Sequence, residues 1–327
     1  MYKLSIDAMS GDLGSSIVVK ACESFMKTHN DVELYVTGKE EELQSLKNIS
    51  NIHIVHAPDI VGMNDGIMTV RRKKDSSMVK AVTLAKEGQV DGVVSCGSTA
   101  AFYTSAMLFL PRITGVEKSC LMAVIPTYNA KGVCMLDVGA NAENTAEQLR
   151  DFAVMGNVYA QNIRGVSQPK VALLNIGAED KKGNELHQET YQLLKNEDKI
   201  NFIGNIEGRE ILLGEVDVVV TDGFSGNIAL KTIEGTASLV MTMVKESLMS
   251  SLLGKIGAMF AKKSLSQLKK QFDYKSVGGA LMMGFEKPVV KAHGASDEIA
   301  FENAMNLAYQ MVKLDVVSQM KEGLNIK

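Results

Sequence analysis

An apolar run that ends in glycines, a hydroxyl and an amide is the clearest candidate in this chain for binding an anion. Residues 216–231 read V-D-V-V-V-T-D-G-F-S-G-N-I-A-L-K, in which β-branched residues predict a buried strand that breaks at a turn before a helix. Glycine lets the backbone approach a ligand, and the free N–H groups that begin a helix stabilise negative charge. The turn predicts a phosphate site at Gly223, Ser225 and Gly226, although glycine also serves turns that bind nothing.

The same succession of strand, glycine-rich loop and helix recurs at least four more times. Apolar runs at 2–9, 91–94, 133–138 and 170–176 each lead into such a loop. A purely structural role is the usual meaning of one such turn, but five of them favour a ligand site. The residues of these further loops that we predict to bind phosphate or acyl phosphate are Gly97, Ser98, Thr99, Asn141 and Gly177.

Strands that alternate with helices predict the α/β class, with right-handed crossovers, one mostly parallel sheet and helices on both faces, as in Rossmann-like folds. The carboxyl ends of parallel strands share one edge, where such sheets bind ligands. We therefore expect all five glycine-rich turns along one edge of the sheet. Because no flexible linker divides the 327 residues, we predict a single α/β catalytic unit over 1–327.

Composition limits the classes of function. The net charge of −3 argues against nucleic-acid binding. Four cysteines lie far apart without CxxC spacing, which predicts reduced thiols in the cytosol rather than disulfides or zinc ligands. The chain starts directly in a strand, which predicts no signal peptide, and no apolar run reaches the roughly 18 residues of a membrane span.

Common catalytic and cofactor motifs do not occur in the sequence. There is no P-loop, no dinucleotide-binding G-x-G-x-x-G after a strand and no G-x-S-x-G elbow. His53 and His56 lie in a predicted strand, where their spacing puts them on opposite faces, so we expect no metal site. Cys96 could act as a nucleophile, but a small residue in a tight turn is the favoured explanation. We expect no cofactor.

Taken together and in this order, the motifs resemble the PlsX family, the phosphate acyltransferases of phospholipid synthesis. The resemblance runs from Asp7 to about Ser296. It departs from the family at Ser10 and Ala100, where glycine is expected, and at Cys96, where an expected alanine would rule out a cysteine nucleophile. The matching segments are 7–12 (DAMSGD), 71–78 (RRKKDSSM), 95–101 (SCGSTAA), 136–141 (LDVGAN), 174–177 (LNIG), 182–184 (KGN), 204–209 (GNIEGR), 221–231, 278–280 (GGA) and 293–296 (HGAS).

The resemblance implies transfer of a fatty acyl group from acyl carrier protein to inorganic phosphate, which gives acyl phosphate for phosphatidic acid and phospholipid synthesis. It also implies a scaffold related to the isocitrate and isopropylmalate dehydrogenases and to the phosphotransacetylases. Phosphate is already nucleophilic, so the protein must mainly position it and stabilise the oxyanion. Asn227 and Asn175 are predicted as catalytic amide donors, with turn formation or helix capping as the alternative.

Charged side chains supply the remaining candidates. His293, in H-G-A-S, could protonate the leaving sulfur, although a structural histidine is the alternative. Lys182 lies in a glycine-bounded loop at the expected ligand edge and is predicted to be catalytic. Acyl carrier protein is acidic and needs a basic docking surface, although a basic run is often only a solvated loop. The candidate docking residues are Arg71, Arg72, Lys73, Lys74 and Lys181.

Residues 236–276 predict a helical, basic and amphipathic excursion from the catalytic unit. Residues 247–272 contain five lysines and no Asp or Glu. Such a helix suits an anionic membrane surface or a homodimer interface, and both remain open. Since acyl phosphate is labile and its expected consumer is a membrane glycerol-phosphate acyltransferase, we expect a cytoplasmic protein held peripherally at the inner face of the membrane. The apolar contact candidates are Leu248, Leu252, Ile256, Met259 and Phe260.

Two functions from other classes remain as alternatives. One is an NAD(P)-dependent dehydrogenase on a related scaffold, against which the missing nucleotide motif counts. The other is a non-catalytic scaffold recruited to the membrane. Turnover of acyl carrier protein thioesters with and without phosphate would separate all three.

Overall fold

The computed structural model describes residues 1–271 and 279–325, with side chains throughout except in 267–271. These residues form eleven strands and ten α-helices. The strands are β1 (Tyr2–Asp7), β2 (Val32–Gly38), β3 (Ile52–His56), β4 (Gly92–Ser95), β5 (Cys120–Ile125), β6 (Val133–Leu136), β7 (Lys170–Asn175), β8 (Asn201–Glu207), β9 (Val218–Val220), β10 (Ala280–Met283) and β11 (Val289–Lys291). The helices are α1 (Ser15–Met26), α2 (Thr69–Arg72), α3 (Ser77–Lys86), α4 (Thr99–Phe109), α5 (Ala146–Asn162), α6 (Glu185–Lys195), α7 (Gly223–Met249), α8 (Leu252–Gln271), α9 (Glu298–Lys313) and α10 (Val316–Gly323).

The strands form one sheet in the order β3-β2-β1-β4-β11-β10-β5-β6-β9-β7-β8. The five strands from β3 to β11 are parallel to one another, and so are the four strands from β6 to β8. Between these groups, β10 is antiparallel to both β11 and β5, and β5 is antiparallel to β6. The two parallel groups, here called the first half and the second half of the sheet, therefore run in opposite directions.

This reversal confirms the fold class and overturns one expectation about the site. The α/β class, with a mostly parallel sheet, is as predicted. The glycine-rich turns do not share one edge, because those after β1 and β4 leave the sheet at one end while those after β6, β7 and β9 leave at the other. Strand periodicity encodes burial and not direction, so the antiparallel pair could not be predicted from the sequence.

Helices cover both faces of the sheet, as predicted. Neighbouring side chains of a strand point to opposite faces, so Val93 and Val94 belong to different core clusters. On one face Phe152 of α5 and Phe301 of α9 are fully buried, and on the other Phe102 of α4 is fully buried. The strands of the centre are rich in β-branched and other apolar residues because both faces are dry.

The excursion predicted over 236–276 begins as a continuous helix. In α7 the buried residues are Gly223 and Gly226, both in its first turn, and the rest of its length is more accessible. α8 packs against α7 and carries the predicted excursion to residue 271, and residues 272–276 lie outside the described part. Among the described helices, none is long and apolar enough to span a bilayer.

Candidate active site

A cavity of about 450 Å³ lies between the two halves of the sheet, over the antiparallel strands β10 and β5. The start of α4 and the segment after β11 line it from the first half, and the loop after β6 and the second turn of α7 line it from the second half. Three predicted site residues, Thr99, Asn227 and His293, are thereby brought together. The apolar wall of the cavity includes Tyr103, Leu121, Ala123, Val124, Val138, Leu230 and Ala280.

The N-terminus of α4 opens into this cavity without a side-chain cap. Ser98 is the N-cap residue, but its hydroxyl accepts no capping hydrogen bond, and Thr99 and Ala100 both line the cavity. The first N–H groups of a helix have no partner within the helix and carry positive potential. Gly97 is needed for close packing, because a Cβ atom there would lie 2.6 Å from Cβ of Ser10. The start of α4 is thus an uncapped helix terminus that faces the cavity.

The imidazole of His293 is arranged as a neutral hydrogen-bond donor. Its Nδ1 accepts the N–H of Ala295 at 3.1 Å, and its carbonyl accepts the N–H of Ser296 at 3.0 Å. Because Nδ1 is an acceptor, the proton of the neutral ring is on Nε2. A neutral imidazole can donate that hydrogen bond, but giving up the proton would leave an imidazolate. A neutral His293 can thus donate a hydrogen bond through Nε2, and its role in protonating the leaving sulfur stays a prediction.

Lys291 is a cavity residue that sequence reasoning missed. It ends the apolar strand β11, directly before Ala292 and His293, and is only 6% exposed. Burial lowers its pKa to about 8, against the opposing influence of Cys96 and two nearby aspartates. The available signal was a lysine that closes a run of buried β-branched residues beside a predicted site.

The loop after β6 is organised by the buried carboxylate of Asp137. Its oxygens accept the N–H groups of Gly139, Ala140 and Asn141 at 2.9–3.1 Å, together with that of Leu121 at 3.0 Å. The side-chain amide of Asn141 donates to the same carboxylate and to a backbone carbonyl, both at 2.8 Å. Both amide hydrogens of Asn141 are therefore used within the protein, and its role in binding phosphate stays a prediction.

A carboxylate already occupies the N-terminus of α7. Asp222 caps the helix by accepting the N–H of Ser225 at 2.9 Å. A Cβ atom at Gly223 or Gly226 would overlap backbone atoms of the loop after β6, so close packing accounts for both glycines. The capping carboxylate of Asp222 disfavours a second anion at this turn. Phosphate binding by Gly223, Ser225 and Gly226 therefore stays a prediction without geometric support.

The loop after β7 lies apart from the cavity. The described residues that line the cavity do not include Asn175, Gly177, Lys181 or Lys182. The amide of Asn175 donates to the carbonyl of Lys182 at 3.0 Å, and the Lys182 ammonium lies 3.8 Å from Glu179. Since β7 is two strands further from the centre than β6, this loop is on the order of 10 Å away across the sheet. The structure does not bring these predicted residues together with His293.

The basic run predicted for docking lies beside the cavity. Ile67 lines the cavity, and the short helix α2 that follows packs against α4. Arg71 and Arg72 are exposed, whereas the ammonium of Lys73 is held by Asp65 at 3.0 Å. The two arginines are thus exposed charges near the cavity, while Lys73 also stabilises its own loop.

The predicted apolar contact residues on α8 are accessible. Leu252 and Phe260 are 80% and 81% exposed, and Ile256 and Met259 are exposed as well. Leu248, in the last turns of α7, is half-buried. These side chains have the accessibility that either a lipid surface or a second subunit requires.

Comparison with known proteins identifies the family. A family described as "Fatty acid synthesis protein" matches residues 2–319. The chain is 43% identical over 323 residues to a phosphate acyltransferase of Macrococcus caseolyticus, which covers 98% of both chains. It is 42% identical over 322 residues to a phosphate acyltransferase of Streptococcus pneumoniae, again with 98% of both chains covered.

Solved structures with the same fold include two acyl-transferring enzymes. EutD phosphotransacetylase from Staphylococcus aureus has a TM-score of 0.61 at 18% identity, with 96% of this chain and 94% of that chain covered. A branched-chain phosphotransacylase from Enterococcus faecalis has a TM-score of 0.59 at 15% identity, with 95% and 100% covered. At these identities the likeness concerns the fold alone. By its sequence relatives, which confirm the resemblance of its motifs, the chain belongs to the phosphate acyltransferase family.

Proposed function

We propose that this protein transfers a fatty acyl group from acyl carrier protein to inorganic phosphate and so supplies acyl phosphate to phospholipid synthesis. One observation carries the proposal: a single cavity combines an uncapped helix N-terminus and polar donors with an apolar wall. Acyl phosphate has the same division, an anionic head on an apolar chain. The reaction type itself follows from membership of the family.

The first step of the reaction is positioning of phosphate. Phosphate binds at the N–H groups of Thr99 and Ala100, and one of its oxygens attacks the thioester carbonyl carbon. The new C–O bond forms as the carbonyl π electrons move onto oxygen, and the side chains of Asn227 and His293 line the cavity as hydrogen-bond donors for that oxyanion. One such donor is worth roughly 3 kcal/mol of barrier.

Collapse of the tetrahedral intermediate breaks the C–S bond. The electron pair leaves on sulfur, and the proton carried by hydrogen phosphate balances the thiolate, so the products are acyl phosphate and thiol. Because this balance needs no acid from the protein, a neutral His293 that only donates a hydrogen bond is sufficient. The apolar wall around Leu121, Val138 and Leu230 accommodates the acyl chain.

Delivery of the acyl group and removal of the product define the partners. The exposed Arg71 and Arg72, next to the cavity, form the docking surface for the acidic carrier protein. The accessible apolar side chains of α8, interspersed with Lys255, Lys262 and Lys263, associate with anionic lipid, while α7 contributes to a homodimer. This places the labile acyl phosphate beside a membrane glycerol-phosphate acyltransferase that consumes it.

The test is incubation of the purified protein with palmitoyl-acyl carrier protein in the presence and absence of phosphate. Release of carrier thiol that depends on phosphate, matched by a hydroxylamine-sensitive acyl phosphate, supports the proposal. Thiol release that is independent of phosphate contradicts it, as does turnover only with a nicotinamide cofactor. Asn227→Ala should lower the rate, whereas Asn196→Ala, at the exposed end of α6, serves as the matched control.

A further inference from the structure

Lys291 is a buried cation that lacks a carboxylate partner. Its ammonium donates a hydrogen bond to the carbonyl of Ala292, and the residue is 6% exposed in the wall of the cavity. Within residues 1–271 and 279–325, no carboxylate forms an ion pair with it. By contrast Lys287, in the same β10–β11 hairpin, pairs with Asp91 at 3.6 Å in the ordinary way.

The titratable groups that face Lys291 come from four elements. They are Asp7 at the end of β1, Asp12 in the loop that follows, Cys96 after β4, and Lys231 on α7. Asp7 is already engaged, since its carboxylate accepts a hydroxyl hydrogen bond at 2.6 Å. Lys231 adds positive charge, although its own ammonium pairs with a glutamate at 2.8 Å. Among the described residues, neither aspartate forms an ion pair with the Lys291 ammonium, so its counter-ion is left to be supplied by a ligand in the cavity.

A buried ammonium with only a carbonyl partner is strongly unfavourable unless an anion completes the site. Lys291 pairs in register with Ser95 on the neighbouring strand β4, shortly before the uncapped start of α4. We propose that Lys291 binds the phosphate substrate, with its ammonium as the counter-ion of the attacking phosphate beside that helix N-terminus. This assignment deepens the proposed function and rests on it.

During the reaction Lys291 keeps its proton and acts through charge. It pairs with the phosphate before attack, while the C–O bond forms, and after the C–S bond breaks, when the phosphoryl group of the product retains its charge. The residue therefore governs the binding of phosphate more than the binding of the acyl donor.

The protonation of Lys291 makes phosphate binding depend on pH. Burial lowers its pKa to about 8, Cys96, Asp12 and Asp7 oppose that shift, and Lys231 adds to it. Above that pH the free enzyme loses the ammonium, whereas inorganic phosphate is already a dianion. The KM of the wild-type enzyme for phosphate should therefore rise about tenfold for each pH unit above about 8.

The decisive variants are Lys291→Met and Lys291→Gln, with Lys287→Met as the matched control from the same hairpin. We expect the KM for phosphate to rise at least tenfold in both Lys291 variants, while the KM for acyl carrier protein changes less than twofold. The control should match the wild type in both constants. A phosphate KM within twofold of wild type in both Lys291 variants, or one that is flat between pH 7 and 9.5 in the wild-type enzyme, overturns the assignment.

A binding measurement separates this proposal from the proposed function. Inorganic phosphate alone should raise the Tm of the wild type and of Lys287→Met, but not that of Lys291→Met. If the wild type forms no acyl phosphate and this pattern holds, the reaction is wrong and the phosphate site stands. If acyl phosphate forms and phosphate protects Lys291→Met as well as the wild type, the reaction stands and the role of Lys291 is wrong.

Discussion

The side chain of Asn227 lies directly on the backbone of Gly139. A Cβ atom at position 139 would lie 3.1 Å from Cγ of Asn227, and Gly139 has a φ of 125° that other residues rarely adopt. The contact joins α7 to the loop after β6 in the same wall of the cavity. Gly139 thus sets the position of the amide that we assign to the oxyanion.

Gly139→Ala should therefore lower kcat about tenfold through displacement of Asn227, because even a small shift of a hydrogen-bond donor raises the activation barrier. The matched control is Gly165→Ala, because Gly165 also has a positive φ, 68°, but has open space around it. Gly165→Ala should lose about 1 kcal/mol of stability through backbone strain, and Gly139→Ala should lose more, because a φ of 125° lies outside the left-handed region. If kcat falls equally in both, or in neither, Asn227 does not depend on this contact.

The tautomer of His293 leads to a second prediction. Glutamine can place an amide donor near the position of Nε2, whereas asparagine keeps only an acceptor near that of Nδ1. We expect His293→Gln to retain kcat within tenfold of wild type and His293→Asn to lose about a hundredfold. If His293 were instead the proton donor to sulfur, both variants would fail alike. A thioester with a more acidic thiol as leaving group would then rescue both, which a lost oxyanion donor does not allow.

The candidate site was predictable from the sequence where a loop follows a strand near the centre of the sheet. Thr99 and Asn227 were predicted because glycine, hydroxyl and amide residues after a strand mark turns that expose backbone N–H groups, whereas His293 was predicted from its H-G-A-S segment. The loop after β7 has residues of the same types, but it does not line the cavity. Its distance from the cavity depends on strand order, which local patterns do not encode.

Lys291 and the direction of the two halves show the same limit of local patterns. From the sequence alone, a lysine at the end of an apolar strand is expected at the surface. Lys291 is buried without an ion-pair partner because β4, β10 and α7 pack around it. Likewise β5 and β10 have the same apolar composition as the parallel strands. The class of the fold depends on burial alone and was predictable, whereas the position of the cavity depends on long-range pairing and was not.

Docking of the carrier protein can be tested at Arg71 and Arg72. Reversal of both to Glu should raise the KM for acyl carrier protein about tenfold with less effect on the KM for phosphate, because steering acts on the charged partner. The wild-type KM should also rise with salt above about 0.15 M, where the Debye length is about 8 Å. Lys86→Glu, at the exposed end of α3, is the control. If the KM for acyl carrier protein changes neither in the charge-reversed variant nor with salt, the two arginines are ordinary solvated residues without a docking role.

Association with lipid can be tested on α8. Each lysine near an anionic surface contributes on the order of 1 kcal/mol, and the exposed apolar side chains add burial, which suffices for reversible binding. Leu252→Glu or Ile256→Glu should release the protein from anionic vesicles and leave activity in solution intact. Leu314→Glu, an exposed leucine that follows α9, is the control. Dissociation of a dimer together with loss of activity would instead identify α8 as a subunit interface.

The central claim is that phosphate attacks the carrier thioester directly, without an acyl-enzyme. Cys96 is the cysteine in a site loop, and burial raises its pKa to about 12, which leaves almost no thiolate at neutral pH. Cys96→Ala should therefore keep most of the activity.

The most direct measurement is a single turnover with radiolabelled palmitoyl-acyl carrier protein, quenched at short times and separated into protein, lipid and carrier fractions. We predict that label passes from the carrier to acyl phosphate in step with thiol release, and only when phosphate is present. Label that accumulates covalently on the enzyme before acyl phosphate appears would contradict direct attack.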